Sequence, residues 1–190
     1  MAVAIVLAAA AGCTTISEES RISTPLAASE FNDVASRYME RPTFVSLATM
    51  SDGQTVLKVQ MDDYGSGYDA TLGVAMDYVM FFDKRFAADY VGLIDKYLEW
   101  AQLATERGDQ LEREVGRTRT WGQGGTIEMR FKLYSGNAQN QYLVIETCAV
   151  GTCSDRTMTF TPENARILRD LLKKLGEGRI AKTDIDAVYR

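Results

Sequence analysis

Apolar and polar positions follow different periods in different parts of this chain, and each period predicts an element. Ala2 to Ala11 is an uninterrupted apolar run without charge, Gly or Pro. It falls well short of the ~20 residues that a membrane-spanning helix needs and has the length of a signal-peptide core. After Cys13, the rest of residues 13–24 is rich in Ser, Thr and Glu with isolated apolar positions, too few to offset the entropy of ordering them, so a flexible tether is predicted. Thr24-Pro25 has the form of a helix start, and Phe31, Val34, Ala35 and Tyr38 recur at helical spacing. They predict a short N-terminal helix that ends near Arg41-Pro42, where proline restricts the preceding residue.

From Phe44 onward the period becomes alternating, as in half-buried strands. Thr55, Leu57, Val59 and Met61 predict one face of a strand over residues 54–62, and Ser51-Asp52-Gly53 predicts the hairpin turn before it. Residues 62–69 (DDYGSGYD) read as a loop, followed by two strands over 68–76 and 78–82 or one bent strand. Asp83 is placed to cap a long helix reaching about Arg107, with Phe86, Tyr90, Leu93, Ile94, Tyr97, Leu98, Ala101 and Ala104 as its buried stripe and Gly108 as its stop. Strands are then predicted over 111–121, 126–134, 141–149 and 153–160. Thr161-Pro162-Glu163 opens a helix whose stripe runs through Ala165, Leu168, Leu171, Leu172 and Leu175, and the tail from Thr183 adds a helical turn.

The fold class expected is therefore α+β, antiparallel strands followed by a helix, as one domain over residues 25–190. Strands-then-helix occurs twice: Phe82-Asp83 aligns with Phe160-Thr161, Tyr90 with Leu168, Leu93 with Leu171 and Ile94 with Leu172. Either the domain is duplicated, with halves 43–108 and 109–178, or two strand-cap-helix junctions look alike by pattern alone. In outline only, a duplicated four-strand-plus-helix pattern resembles the Whirly-type single-strand nucleic-acid binders.

The apolar run ends in Ala10-Ala11-Gly12-Cys13 and is followed by polar residues. This order resembles the lipobox of bacterial lipoproteins. The resemblance implies removal of residues 1–12, a diacylglyceryl group on the Cys13 thiol and acylation of its new amino terminus by a chain such as palmitate. Two or three acyl chains hold a protein stably on a membrane. Thr14 stands where an Asp commonly marks inner-membrane retention, so the resemblance implies an outer-membrane anchor with the domain facing the periplasm. The chain departs from the pattern in lacking an early Lys or Arg; its first charge is Glu18.

Charge and composition narrow the chemistry. The 190 residues carry a net charge of −5, which disfavours general polyanion binding, so no nucleic acid is expected as partner. Histidine is absent, which removes Ser-His-Asp and Cys-His catalysis and the commonest metal ligand. No cofactor motif or metal set is present; Gly122, Gly124 and Gly125 lie between two strands, not before a helix. Of the three cysteines, Cys148 and Cys153 form an even pair that an oxidising periplasm would join as a disulfide.

Two constellations remain. Arg117, Arg119 and Trp121 alternate on one strand and Arg130, Lys132 and Tyr134 on the next, a basic and aromatic sheet face suited to an anionic or aromatic-stacking partner. The same residues also fit the solvated face of a one-sided sheet. The 62–69 loop interleaves Asp62, Asp63 and Asp69 with Tyr64 and Tyr68, but its spacing is not that of an EF-hand, and Asp and Gly belong in turns. The expectation is a lipid-anchored envelope module that binds an envelope protein or glycan without catalysis. The rivals are an envelope enzyme using carboxylates of that loop and, were the lipobox match accidental, a single-strand nucleic-acid binder.

Overall fold

A computed structural model of the chain describes residues 14–62, 68–69, 74–75, 78–122, 125–149, 151–154 and 157–181. The lipobox with Cys13, most of the 62–69 loop and the tail from Thr183 lie outside these. Thirteen strands and two α-helices follow in the order β1 (Ile16–Ile22), β2 (Ala28–Asn32), β3 (Arg37–Arg41), β4 (Thr43–Met50), β5 (Thr55–Met61), β6 (Tyr68–Asp69), β7 (Val74–Ala75), β8 (Tyr78–Asp83), α1 (Ala87–Arg107), β9 (Leu111–Gly122), β10 (Gly125–Asn137), β11 (Asn140–Ala149), β12 (Thr152–Cys153), β13 (Met158–Phe160) and α2 (Pro162–Gly176). A single 3₁₀ turn, Lys84–Phe86, leads into α1.

Among the described residues the strands build two large antiparallel sheets and a separate two-stranded antiparallel pair, β6–β7. One large sheet has the order β1-β4-β5-β8; the other has the order β3-β2-β13-β11-β10-β9, with β12 added to β11. The helices lie on one side of both. Leu57, Val59, Met80 and Phe82 of the first sheet and Met129, Phe131, Leu133, Leu143 and Ile145 of the second share one core with Tyr90, Ile94 and Tyr97 of α1 and Leu168 and Leu172 of α2. The α+β expectation is met in this form, with more strand than helix. Long amphipathic stripes dictate the helices: Asp83 accepts from the Arg85 N–H at the first turn, and Gly108, at φ +69°, ends α1 in the left-handed conformation that glycine adopts without cost. Thr161 caps α2 through a bond from the Asn164 N–H, with Pro162 at its first position.

The N-terminal expectations are corrected. The predicted tether is strand β1, paired along its length with β4 from Ile22–Val45 to Ile16–Met50. It is an edge strand held by backbone hydrogen bonds, which polar side chains satisfy as well as apolar ones, so its composition hid it. The predicted N-terminal helix is the hairpin β2–β3. The Asn32 side chain accepts the Ala35 N–H and Ser36 takes φ +50°, which together reverse the chain. Phe31 and Tyr38 then face each other across the strands rather than along a helix. Asn164 secures the hairpin, accepting from the Ala27 N–H at 2.8 Å and donating to Glu40 at 3.2 Å.

Candidate functional site

The outer face of the larger sheet, away from the helices, carries most of the residues singled out by the alternation of β9 and β10. Its composition depends on one irregularity. The β9–β10 register shifts between Phe131 and Lys132, where Val115 is an extra residue that enters the core. Its carbonyl accepts from Lys96 of α1 at 2.7 Å, and a Cβ on the next residue, Gly116, would stand 2.6 Å from Leu93 Cδ2. Uninterrupted alternation would set Arg113 on the face of Arg117; the bulge sets Glu112 and Glu114 there instead, opposite Tyr134 and Lys132.

Consequently the face is not a basic patch. Arg117 donates to Glu114 at 2.7 Å and lies 3.4 Å from Glu128; Arg130 lies 3.4 Å from Glu114 and Glu128 and 3.2 Å from Glu146; Lys132 lies 3.1 Å from Glu146 and 3.4 Å from Glu112. The hydrogen bonds from Arg117, with its charge and those of Arg130 and Lys132, hold the Glu114 carboxyl below its ordinary range. Glu146, almost fully buried between Arg130 and Lys132, is the hub of this network. Three cations are balanced by four carboxylates, so the attraction for an external polyanion is cancelled locally.

Arg119 and Trp121 leave the group. The Arg119 guanidinium lies over the Phe86 ring at 5.0 Å. Trp121, only 8% exposed, packs edge-on against Phe81 and forms a second small core with Ala48, Met50 and Val56 on the outer side of the first sheet. The end of β9 has there crossed to the other sheet, and Thr120 Oγ1 donates to the Phe81 carbonyl. Period alone could not show this, because the alternation of β9 continues while its surroundings change.

What the face does gather is aromatic. Tyr134 of β10 stands opposite Tyr142 of β11, and Tyr38 of β3 packs on both, its ring centroid 4.3 Å from Tyr142 and 6.1 Å from Tyr134; Phe31 abuts Tyr38 at 5.3 Å. Thr159 and Ser29, which point to this face, are fully buried, as the contact of Tyr38 with Tyr142 requires: the β2–β3 hairpin folds over them. Burial, and then the neighbouring phenols, raise the Tyr38 and Tyr142 hydroxyls above their usual 10. Six large hydrophobic residues are exposed among the described residues. Three of them, Phe31, Val34 and Met39, belong to the hairpin, and Tyr134 adjoins it; Val34 at the tip is 98% exposed. The Tyr142 partnership could be read from the short turn between β10 and β11. Tyr38 and Phe31 could not, because their spacing is helical while the backbone forms a hairpin.

At the opposite end of β11, Cys148 and Cys153 face each other across the β11–β12 pair and are joined as a disulfide. The Glu146 carboxylate lies within 4.8 Å of both sulfurs. Because the sulfurs bind each other and the carboxylate is engaged by two cations, the three do not form a metal-ligand set. Asp62 closes β5, its N–H donating to the Pro42 carbonyl at 2.9 Å. Asp63 and Tyr64 lie outside the described residues. No helix among the described residues is long and apolar enough to cross a membrane. No family model, curated protein or solved structure matches the chain.

Proposed function

We propose that this protein is a bacterial envelope lipoprotein, anchored through acylated Cys13 at the outer membrane and facing the periplasm, whose domain binds another envelope protein without catalysis. The observation that carries the binding role is the clustering of exposed apolar side chains on the β2–β3 hairpin beside the Tyr38–Tyr134–Tyr142 cluster. Aromatic and Met side chains presented together beside a neutralised ionic band are the composition of protein-binding cores. Tyr134 lies seven positions along β10 from Ile127, whose end of the strand adjoins Thr14. The aromatic cluster thus stands roughly 23 Å along the strand from the point where the anchor would join. The disulfide suits an oxidising compartment.

We also read the domain as a duplicated unit, four antiparallel strands in meander order and then a helix. The support is the parallel between β1-β4-β5-β8 with α1 and β9-β10-β11-β13 with α2. On this reading β2–β3 is an insertion in the first unit that extends the sheet of the second.

A photoreactive amino acid at position 134 of the full-length protein, expressed in a bacterium, tests the binding role, with position 103 on the exposed side of α1 as control. A discrete protein adduct from 134 and none from 103 is expected. A glycan adduct would reassign the partner class, and equal adducts from both positions would remove the face from consideration. The intact mass of the wild type beside Cys13→Ser tests the anchor: the wild type should lose residues 1–12 and gain acyl mass, and the variant should gain none.

A further inference from the structure

A second apolar feature lies at the other end of β10. Ile16, Met50, Phe81, Trp121, Gly122 and Ile127 line an open cleft of ≈ 420 Å³, with Thr14 at its rim. That volume falls within the ~300–1,000 Å³ of small-molecule sites. Its walls come from both sheets, where the end of β9 meets the outer side of the first sheet, and Trp121 and Met50 form its floor. No charged side chain lines it. The larger groove between α1 and α2, ≈ 740 Å³, is instead rimmed by charges of both signs, Lys84, Arg85, Arg169 and Lys173 against Asp95, Asp170 and Glu177, and Arg169 is already paired with Asp95 and Asp170.

The position of the chain makes the cleft informative. Thr15 donates its N–H to Ser51 Oγ at 3.0 Å and accepts the Ser51 N–H at 2.7 Å, so the backbone beside the cleft is pinned to the β4–β5 turn. Cys13 precedes Thr14 directly, one Cα step of about 3.8 Å from a residue of the rim.

We propose that the cleft seats one acyl chain carried by Cys13. The inference rests on the lipoprotein reading and adds to it: one chain folds back onto Phe81, Trp121 and Ile127 while the remaining chain or chains enter the bilayer. The domain is then fixed against the membrane at this end rather than swinging on a tether.

The test uses full-length protein from a bacterium fed a diazirine-bearing fatty acid, irradiated in membranes, with crosslinks mapped by peptide mass. Intramolecular crosslinks from the Cys13 acyl group to Phe81, Trp121 or Ile127 are expected. Ile127→Asp, and separately Ile16→Ser, should lose most of that yield while retaining the acyl mass at Cys13; two variants guard against one misfolding. If Cys13 is acylated and its crosslinks reach only phospholipid, the seat is refuted and the anchor stands. If Cys13 carries no acyl mass, the lipoprotein reading itself fails, and the seat with it.

Discussion

The Tyr90 hydroxyl donates to the backbone carbonyl of Arg119 over 2.7 Å and accepts the N–H of Asp83 at 3.2 Å. One phenol on α1 thereby ties the last residue of β8 to the interior of β9, joining the edges of the two sheets. Burial raises its ionisation far above that of a free tyrosine, so it keeps its proton and this role at any physiological pH.

Tyr90→Phe keeps the ring packing against Phe82 and removes only the oxygen. It leaves a buried carbonyl and N–H without this partner, at a cost of about 1–3 kcal/mol. Urea unfolding should show a lower midpoint with an unchanged slope. A midpoint equal to the wild type would mean that the sheets are held together without this bond.

The ionic network should be unequal in its parts. Glu146, at 8% side-chain exposure, holds both Arg130 and Lys132, whereas Glu112, at 60%, meets only Lys132 among the described residues. Glu146→Gln leaves two half-buried cations facing a neutral amide and should cost roughly 2 kcal/mol. Glu112→Gln should cost about 0.5 kcal/mol or less and should lose that effect in high salt. Equal costs in parallel urea titrations would remove Glu146 from its place as hub.

The tyrosine cluster has an alkaline signature. Tyr38 and Tyr142 ionise above 10 in the fold because burial and neighbouring phenols disfavour the phenolate. The folded state therefore binds more protons than the unfolded chain in that range. The stability from these groups is complete below pH 10 and is lost as pH rises through their folded values. Ultraviolet titration should resolve a late tyrosinate component in the wild type. In Tyr134→Phe that component should move to lower pH, since one neighbouring phenolate is gone; no movement would show that the three rings do not share a site.

Much of this architecture was legible in the amino-acid order. The long stripe from Phe86 to Ala104, the stop at Gly108 and the opening at Thr161-Pro162 each combine a period with a cap, two signals that agree, and the helices form there. The failures have separate causes. Strand β1 is polar because an edge strand needs a partner's backbone more than a core. Phe31 and Tyr38 satisfy helical spacing, yet Asn32 and Ser36 between them favour a reversal, and local turn chemistry prevailed over period. At the candidate face, the one-residue bulge at Val115 exchanged an arginine for two glutamates beside Arg117, and no alternating pattern encodes where such a bulge falls.

The pairing of β1 with β4 also bears on proteolysis of the N-terminal stretch. A protease releasing a surface protein commonly cuts a slack stalk, because its cleft takes several residues in extended, unpaired form. Here the backbone is hydrogen-bonded at Thr15 and paired with β4 from Ile16 to Ile22. Cutting within that stretch requires peeling an edge strand from its sheet, so cleavage there is slowed by the fraction of time β1 stays paired.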